Sequence, residues 1–86
     1  MDTMEKLQFD LELYGISSVT QKNYVYHASK FASHCGKELV DVEIADVRQF
    51  LHYLRNYKKL NIGTVNYYHT CLKFLFQVTL EKTWND

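Results

Sequence analysis

The chain has 86 residues, a mass of 10.2 kDa and ten basic residues against ten acidic ones, so its formal net charge is zero. Apolar residues make up 47% of the sequence, which excludes a disordered chain, and this length supports one hydrophobic core. No apolar run approaches the ~20 residues of a membrane-spanning helix, and the acidic N-terminus is unlike a signal peptide, so we expect a cytoplasmic protein without a membrane partner.

An all-α fold is predicted, because proline is absent and glycine occurs only at Gly15, Gly36 and Gly63. The first helix is predicted over residues 3–14, capped by Asp2 or Thr3 and followed by Gly15. Its apolar residues recur at helical spacing and define an inward face of Met4, Leu7, Leu11 and Tyr14.

The second helix is predicted over residues 18–34, with Ser17 as its N-cap and Gly36 as its stop. On a helical wheel one face collects the residues expected to pack inward: Thr20, Tyr24, His27, Ala28, Phe31 and Cys35. The opposite face carries residues expected to meet solvent: Lys22, Tyr26, Ser29 and Ser33.

The third helix is predicted over residues 44–57, and a basic loop from Tyr57 to Leu60 follows it. Its inward residues are Ile44, Val47, Phe50, Leu51 and Leu54. Asn61 caps a fourth helix over residues 62–80. Its inward face holds Val65, Tyr68, Leu72, Leu75, Phe76 and Thr79, and its polar face holds Asn66, Thr70, Lys73 and Gln77. Within these faces we expect Phe31 and Leu72 to lie at the centre of the core.

Catalytic motifs are missing from this sequence. It has no phosphate-binding glycine loop, no nucleophile elbow and no paired cysteines at zinc-ligand spacing, so we expect no cofactor and no metal. His52 and Arg55 spell an HxxR pattern, but Leu54 lies on the inward face between them, which places the pair on a solvated surface. Cys35 and Cys71 are interpreted as buried thiols of a reducing compartment.

Charge is sorted along the chain. Residues 13–37 contain three lysines and no acid, residues 38–46 contain four acids and no base, and residues 47–80 contain five basic residues and no acid. Acids gathered near helix N-termini, where the helix dipole favours negative charge, explain part of this pattern. They do not explain 34 successive residues without an acid, so we expect a locally positive surface that suits a polyanion.

Three motifs, in this order and spacing, resemble the N-terminal core-binding domain of tyrosine recombinases, the phage-type integrases. The first is a turn leading into the second helix, carried by Gly15, Ile16, Ser17, Thr20, Tyr24 and Phe31. The second is the apolar run of the third helix, carried by Phe50, Leu51, Tyr53 and Leu54. The third is the start of the last helix, carried by Leu60, Asn61, Thr64, Val65 and Asn66.

This resemblance implies a compact four-helix SAM-like bundle over residues 1–86, a single domain that grips one side of duplex DNA without chemistry of its own. Residues 81–86 would begin a linker to a C-terminal catalytic domain, which is absent here and would close the clamp. The family's own HxxR belongs to that absent domain, so His52 and Arg55 do not inherit its role. Other recombinase protomers are further partners that the resemblance allows.

Eight residues on the second helix, the basic loop and the fourth helix are predicted to contact DNA. Phosphate contacts are assigned to Lys22, Lys58, Lys59 and Lys73, and backbone or base-edge contacts to Tyr26, Asn66, Tyr67 and Thr70. Each lysine taken singly is equally well explained as a solvated residue, and each tyrosine as a half-buried packing residue.

A helical protein–protein interaction module is the alternative hypothesis. Phe9, Leu13 and Phe74 lie outside the predicted inward faces and would form an apolar patch for a partner.

Overall fold

The computed structural model describes residues 2–84, and within that range the chain is all-α and contains no strand. Its four helices are α1 (Thr3–Leu13), α2 (Ser18–Cys35), α3 (Ile44–Asn56) and α4 (Ile62–Phe74). A short 3₁₀ turn, Leu39–Asp41, lies between α2 and α3. The all-helical prediction is confirmed, and the predicted bounds of the first three helices agree within one residue.

Local side-chain hydrogen bonds set the helix starts where the sequence predicts them. Asp2 accepts a hydrogen bond from the Glu5 amide at 2.8 Å, and Asn61 accepts one from the Thr64 amide at 2.9 Å. Ser17 caps α2 in the same way. Because each cap satisfies an amide that has no partner within its helix, these three residues define where α1, α2 and α4 begin.

The fourth helix departs from its prediction as a single α-helix over 62–80. Its α-helical part ends at Phe74, and Leu75–Thr79 form a wider π-helical turn that closes with a 2.8 Å bond from the Leu80 amide to the Leu75 carbonyl. Leu75, Phe76 and Thr79 still face the core as predicted, and each is at most 2% exposed.

One core lies between the four helices, and most of the predicted inward residues form it. Phe31, Leu11 and Leu72 are fully buried, as expected. The other buried members include Leu7, Ala28, Val47, Phe50, Leu54, Val65 and Tyr68. Two aromatic residues were assigned to the wrong side. Tyr14 lies past the end of α1 and is exposed, whereas Phe74 packs partly buried, edge-on against Tyr14 and Tyr24.

The cysteines are free thiols in different surroundings. Cys71 is buried as predicted, and burial raises the pKa of its thiol to about 12. Cys35 is only partly buried, and the same cause raises its pKa. Both thiols therefore stay protonated at neutral pH, which makes them poor nucleophiles.

Residues 80–84, which follow the last helical turn, pack against the helices. The Lys82 ammonium donates hydrogen bonds to the Val40 and Val42 carbonyls at 2.7 and 2.6 Å, and Trp84 packs edge-on against His69 and Phe76. The linker was expected over residues 81–86. Of these residues, 85 and 86 lie outside the described range. No helix within residues 2–84 is long and apolar enough to cross a membrane.

Candidate nucleic-acid interface

The exposed face of α2 carries a polar row. Lys22 and Tyr26 lie one helical turn apart, and Lys30 follows one turn later. The Lys30 ammonium sits over the Tyr26 ring, 5.4 Å from its centroid. This is the geometry of a cation–π contact, so the ring and the ammonium hold each other in place.

The outward face of α4 presents a second row. Asn66 and Thr70 are exposed, and the Thr70 hydroxyl donates to the Asn66 carbonyl at 3.1 Å. Lys73 lies about one turn further along and is partly exposed. These three residues are directed away from the core because Val65, Tyr68 and Leu72 occupy the inward face.

His27 joins the two helices at the centre of this surface. Its ring stacks on Tyr67 of α4 with centroids 5.1 Å apart, and it meets Tyr26 of α2 edge-on at 5.4 Å. It also meets Tyr68 edge-on at 4.1 Å, and burial raises the pKa of that phenol. The two predicted DNA-contacting tyrosines, Tyr26 and Tyr67, are therefore brought together through one histidine.

The loop between α3 and α4 presents Lys58 and Lys59, both exposed. Lys59 has a φ of 58°, in the left-handed region that favours glycine. The Leu60 amide bonds back to the Leu54 carbonyl at 3.1 Å, so the left-handed Lys59 lies within the hydrogen-bonded loop that follows α3. A lysine therefore occupies a position whose backbone favours glycine.

Replacing Lys59 with glycine is expected to stabilise the fold by about 0.5–1 kcal/mol. Relief of the left-handed conformation is worth about 1–2 kcal/mol, and the greater freedom of glycine in the unfolded chain offsets about 0.4–1 kcal/mol of it. Urea unfolding of Lys59→Gly measures this difference. Lys58→Gly is the neighbouring control, since Lys58 has no left-handed φ, and it should not stabilise the protein.

Six of the ten basic residues interact with other residues of the chain through an ion pair, a hydrogen bond, a ring contact or another electrostatic interaction. Lys6 pairs with Glu81 at 3.3 Å and Lys37 with Asp46 at 3.1 Å. Partners within the chain are also found for Lys30, Arg48, Arg55 and Lys82. The hydrogen bond from the Glu43 amide is the largest cause that lowers the pKa of the Asp46 carboxyl, and the pairing with Lys37 lowers it further.

The other four basic residues are Lys22, Lys58, Lys59 and Lys73. Among residues 2–84, none of these four ammonium groups has an ion pair, hydrogen bond or ring contact. They are the four lysines predicted to contact phosphates. Because the fold does not use their charge, all four remain available to a ligand.

His52 and Arg55 lie on the exposed side of α3, as predicted. The Arg55 guanidinium donates to the Leu60 carbonyl at 3.2 Å, in the loop after α3. The Arg55 side chain is therefore explained by its bond to the loop after α3.

Sequence reasoning missed two residues of this surface, Lys30 and His34. His34 packs on Tyr53 and Phe50 with ring centroids 4.5 and 5.1 Å away. The signal for Lys30 was its spacing of four residues from Tyr26, which places both on one side of a helix.

Comparison with known proteins agrees with this architecture. Residues 3–86 match the family described as phage integrase, N-terminal SAM-like domain, and the chain belongs to that family. It is 34% identical over 80 residues to y4qK of Sinorhizobium fredii, whose name describes it as a candidate integrase/recombinase. The match covers 93% of this chain but only 26% of that relative, so the chain spans about a quarter of its length. No solved structure matches significantly.

Proposed function

We propose that this chain is the DNA-binding module of a site-specific tyrosine recombinase, and that it grips duplex DNA without performing chemistry. The four lysines without partners among residues 2–84 carry this proposal. They would neutralise phosphates, while Tyr26, Asn66, Tyr67 and Thr70 would add backbone or base-edge contacts.

Partners follow from the same proposal. A C-terminal catalytic domain of the parent protein would close on the duplex from the other side, consistent with a relative about four times as long as this chain. Other recombinase protomers are the second class of partner. The free cysteines suit the reducing cytoplasm, where we place the protein.

A salt titration with random duplex DNA tests the proposal. If four phosphates are neutralised, the logarithm of the binding constant falls with log salt at a slope of about −3.6, at about −0.9 per phosphate. Between 50 and 200 mM salt that slope corresponds to a loss of affinity of about 150-fold. Without a domain closing the clamp we expect a Kd of about 10⁻⁴ to 10⁻⁶ M at physiological salt.

Lys73→Ala and Arg48→Ala form a matched pair for this titration. Lys73→Ala removes a charge without a partner among residues 2–84, so it should weaken binding to all sequences alike and reduce the slope by about one unit. Arg48→Ala removes a charge engaged within the chain and should change little. Equal losses for the two variants would indicate diffuse attraction and contradict a defined face.

Chemical-shift mapping with the same duplex locates the face. Shifts should concentrate at residues 18–30 and 57–73 and spare residues 1–12.

The alternative function, a protein–protein interaction module, is supported by one observation. Phe9 and Leu13 lie four residues apart on α1 and are 54% and 68% exposed, so they form an apolar patch. Phe74, the third expected member, is partly buried against the core and does not join them. Shifts centred on Phe9 and Leu13 would favour this alternative over DNA binding.

A further inference from the structure

A groove with a volume of about 390 Å³ lies where α2, α3, the loop after α3 and α4 meet, and Tyr26 and Lys30 of α2 belong to its lining. Its polar and aromatic lining comprises Tyr26, Lys30, His34, Tyr53, Lys58 and Tyr68. Phe50, Leu54 and Leu60 contribute apolar surface. The lining contains no acidic residue, so an anion entering the groove meets two ammonium groups and no carboxylate.

A chain of ring contacts runs through this lining. His34 packs on Tyr53 at 4.5 Å and on Phe50 at 5.1 Å, and Phe50 meets Tyr68 at 5.6 Å. At the α2 side, Tyr26 holds the Lys30 ammonium 5.4 Å from its ring centroid. Since the contacts restrict these rings, the rings lose little side-chain entropy when a ligand binds.

The geometry points to this groove as the docking place of one backbone phosphate of the duplex, held jointly by Lys30 and Lys58 with its sugar against the aromatic lining. This inference rests on the proposed DNA binding and adds Lys30 to the residues that carry it. Ammonium groups and tyrosine hydroxyls are common phosphate contacts, and the apolar lining suits the deoxyribose.

The two lysines of the groove come from different parts of the fold. Lys30 comes from the middle of α2 and Lys58 from the loop after α3, so the two ammonium groups reach the groove from different elements. Lys22, Lys59 and Lys73 do not line the groove. A phosphate shared by Lys30 and Lys58 therefore leaves the total at four phosphates, one in the groove and three on the remaining lysines.

Two double variants of the full 86-residue chain separate shared from independent phosphates. Lys30→Gln with Lys58→Gln should reduce the salt slope by about 0.9, because one phosphate is lost. The matched pair, Lys22→Gln with Lys73→Gln, should reduce it by about 1.8, because two phosphates are lost. Lys58→Gln alone should reduce the slope by less than the groove pair, since Lys30 still holds the phosphate. Lys30→Arg, which keeps the charge and the ring contact, should retain the wild-type slope.

Several results would overturn the groove assignment. One is a reduction of about 1.8 for the groove pair, which would mean separate phosphates. Another is an equal effect of Lys58→Gln alone and the groove pair, which would leave Lys30 without a role. A third is stronger perturbation of the Tyr53 and His34 ring protons by a single strand than by the duplex of the same sequence. In these cases the wild type still binds duplex with its full slope, and only the groove is rejected. A wild type that does not bind duplex at all rejects the proposed function itself.

Discussion

Truncating Phe31 to alanine is expected to destabilise the domain by about 3–5 kcal/mol. The Phe31 side chain is fully buried at the middle of α2, and its ring lies 5.4 Å from that of Phe50 on α3. Its removal leaves a cavity between the helices that the packed core fills only in part. A domain of this size has a total stability of about 4–13 kcal/mol, so the variant loses at least about a quarter of it and unfolds if the total lies at the low end.

Phe9→Ala is the matched control, since it removes the same atoms from a side chain that is 54% exposed. It should change the free energy of unfolding by no more than about 0.5 kcal/mol. Urea unfolding followed by circular dichroism measures both variants. If Phe31→Ala melts within a few degrees of the wild type, the assignment of Phe31 to the centre of the core is wrong.

Replacing Thr79 with valine is expected to cost about 1–3 kcal/mol, although the two side chains have nearly the same shape. The Thr79 hydroxyl donates to the Asp10 carboxylate at 3.0 Å, and both residues are buried. Valine removes the donor and leaves a buried carboxylate oxygen without that partner. The lost hydrogen bond is one of those that join α1 to the π-helical turn.

Thr70→Val is the control for this substitution, because Thr70 lies on the exposed face of α4 and bonds only the Asn66 carbonyl one turn away. Its effect on the free energy of unfolding should stay within about 0.5 kcal/mol. Thermal and urea unfolding of both variants give the comparison. Equal effects would show that the Asp10–Thr79 bond adds nothing to stability.

The helices, their caps and the outward lysines were predictable because their causes lie within a few residues. Ser17 and Asn61 each cap the amide three residues on, and a 3.6-residue period separates the inward face of α2 from Lys22 and Tyr26. The same period placed Lys73 on the outer side of α4. No wheel places two helices beside one another, so the meeting of Tyr26 with Tyr67 through His27 was not predictable.

The sequence by itself determined an all-α chain, the starts of α1, α2 and α4, and a surface with four lysines turned outward, since hydrogen bonds and periodicity of near neighbours decide these features. Only the tertiary structure decided that Asp10 is buried, because its partner Thr79 lies 69 residues away. The π-helical turn over Leu75–Thr79 was likewise not predictable, since the sequence indicated a regular α-helix over residues 62–80. The groove lined by Lys30 and Lys58 likewise forms only where α2, α3 and α4 meet. The periodicity of a single helix therefore cannot predict it.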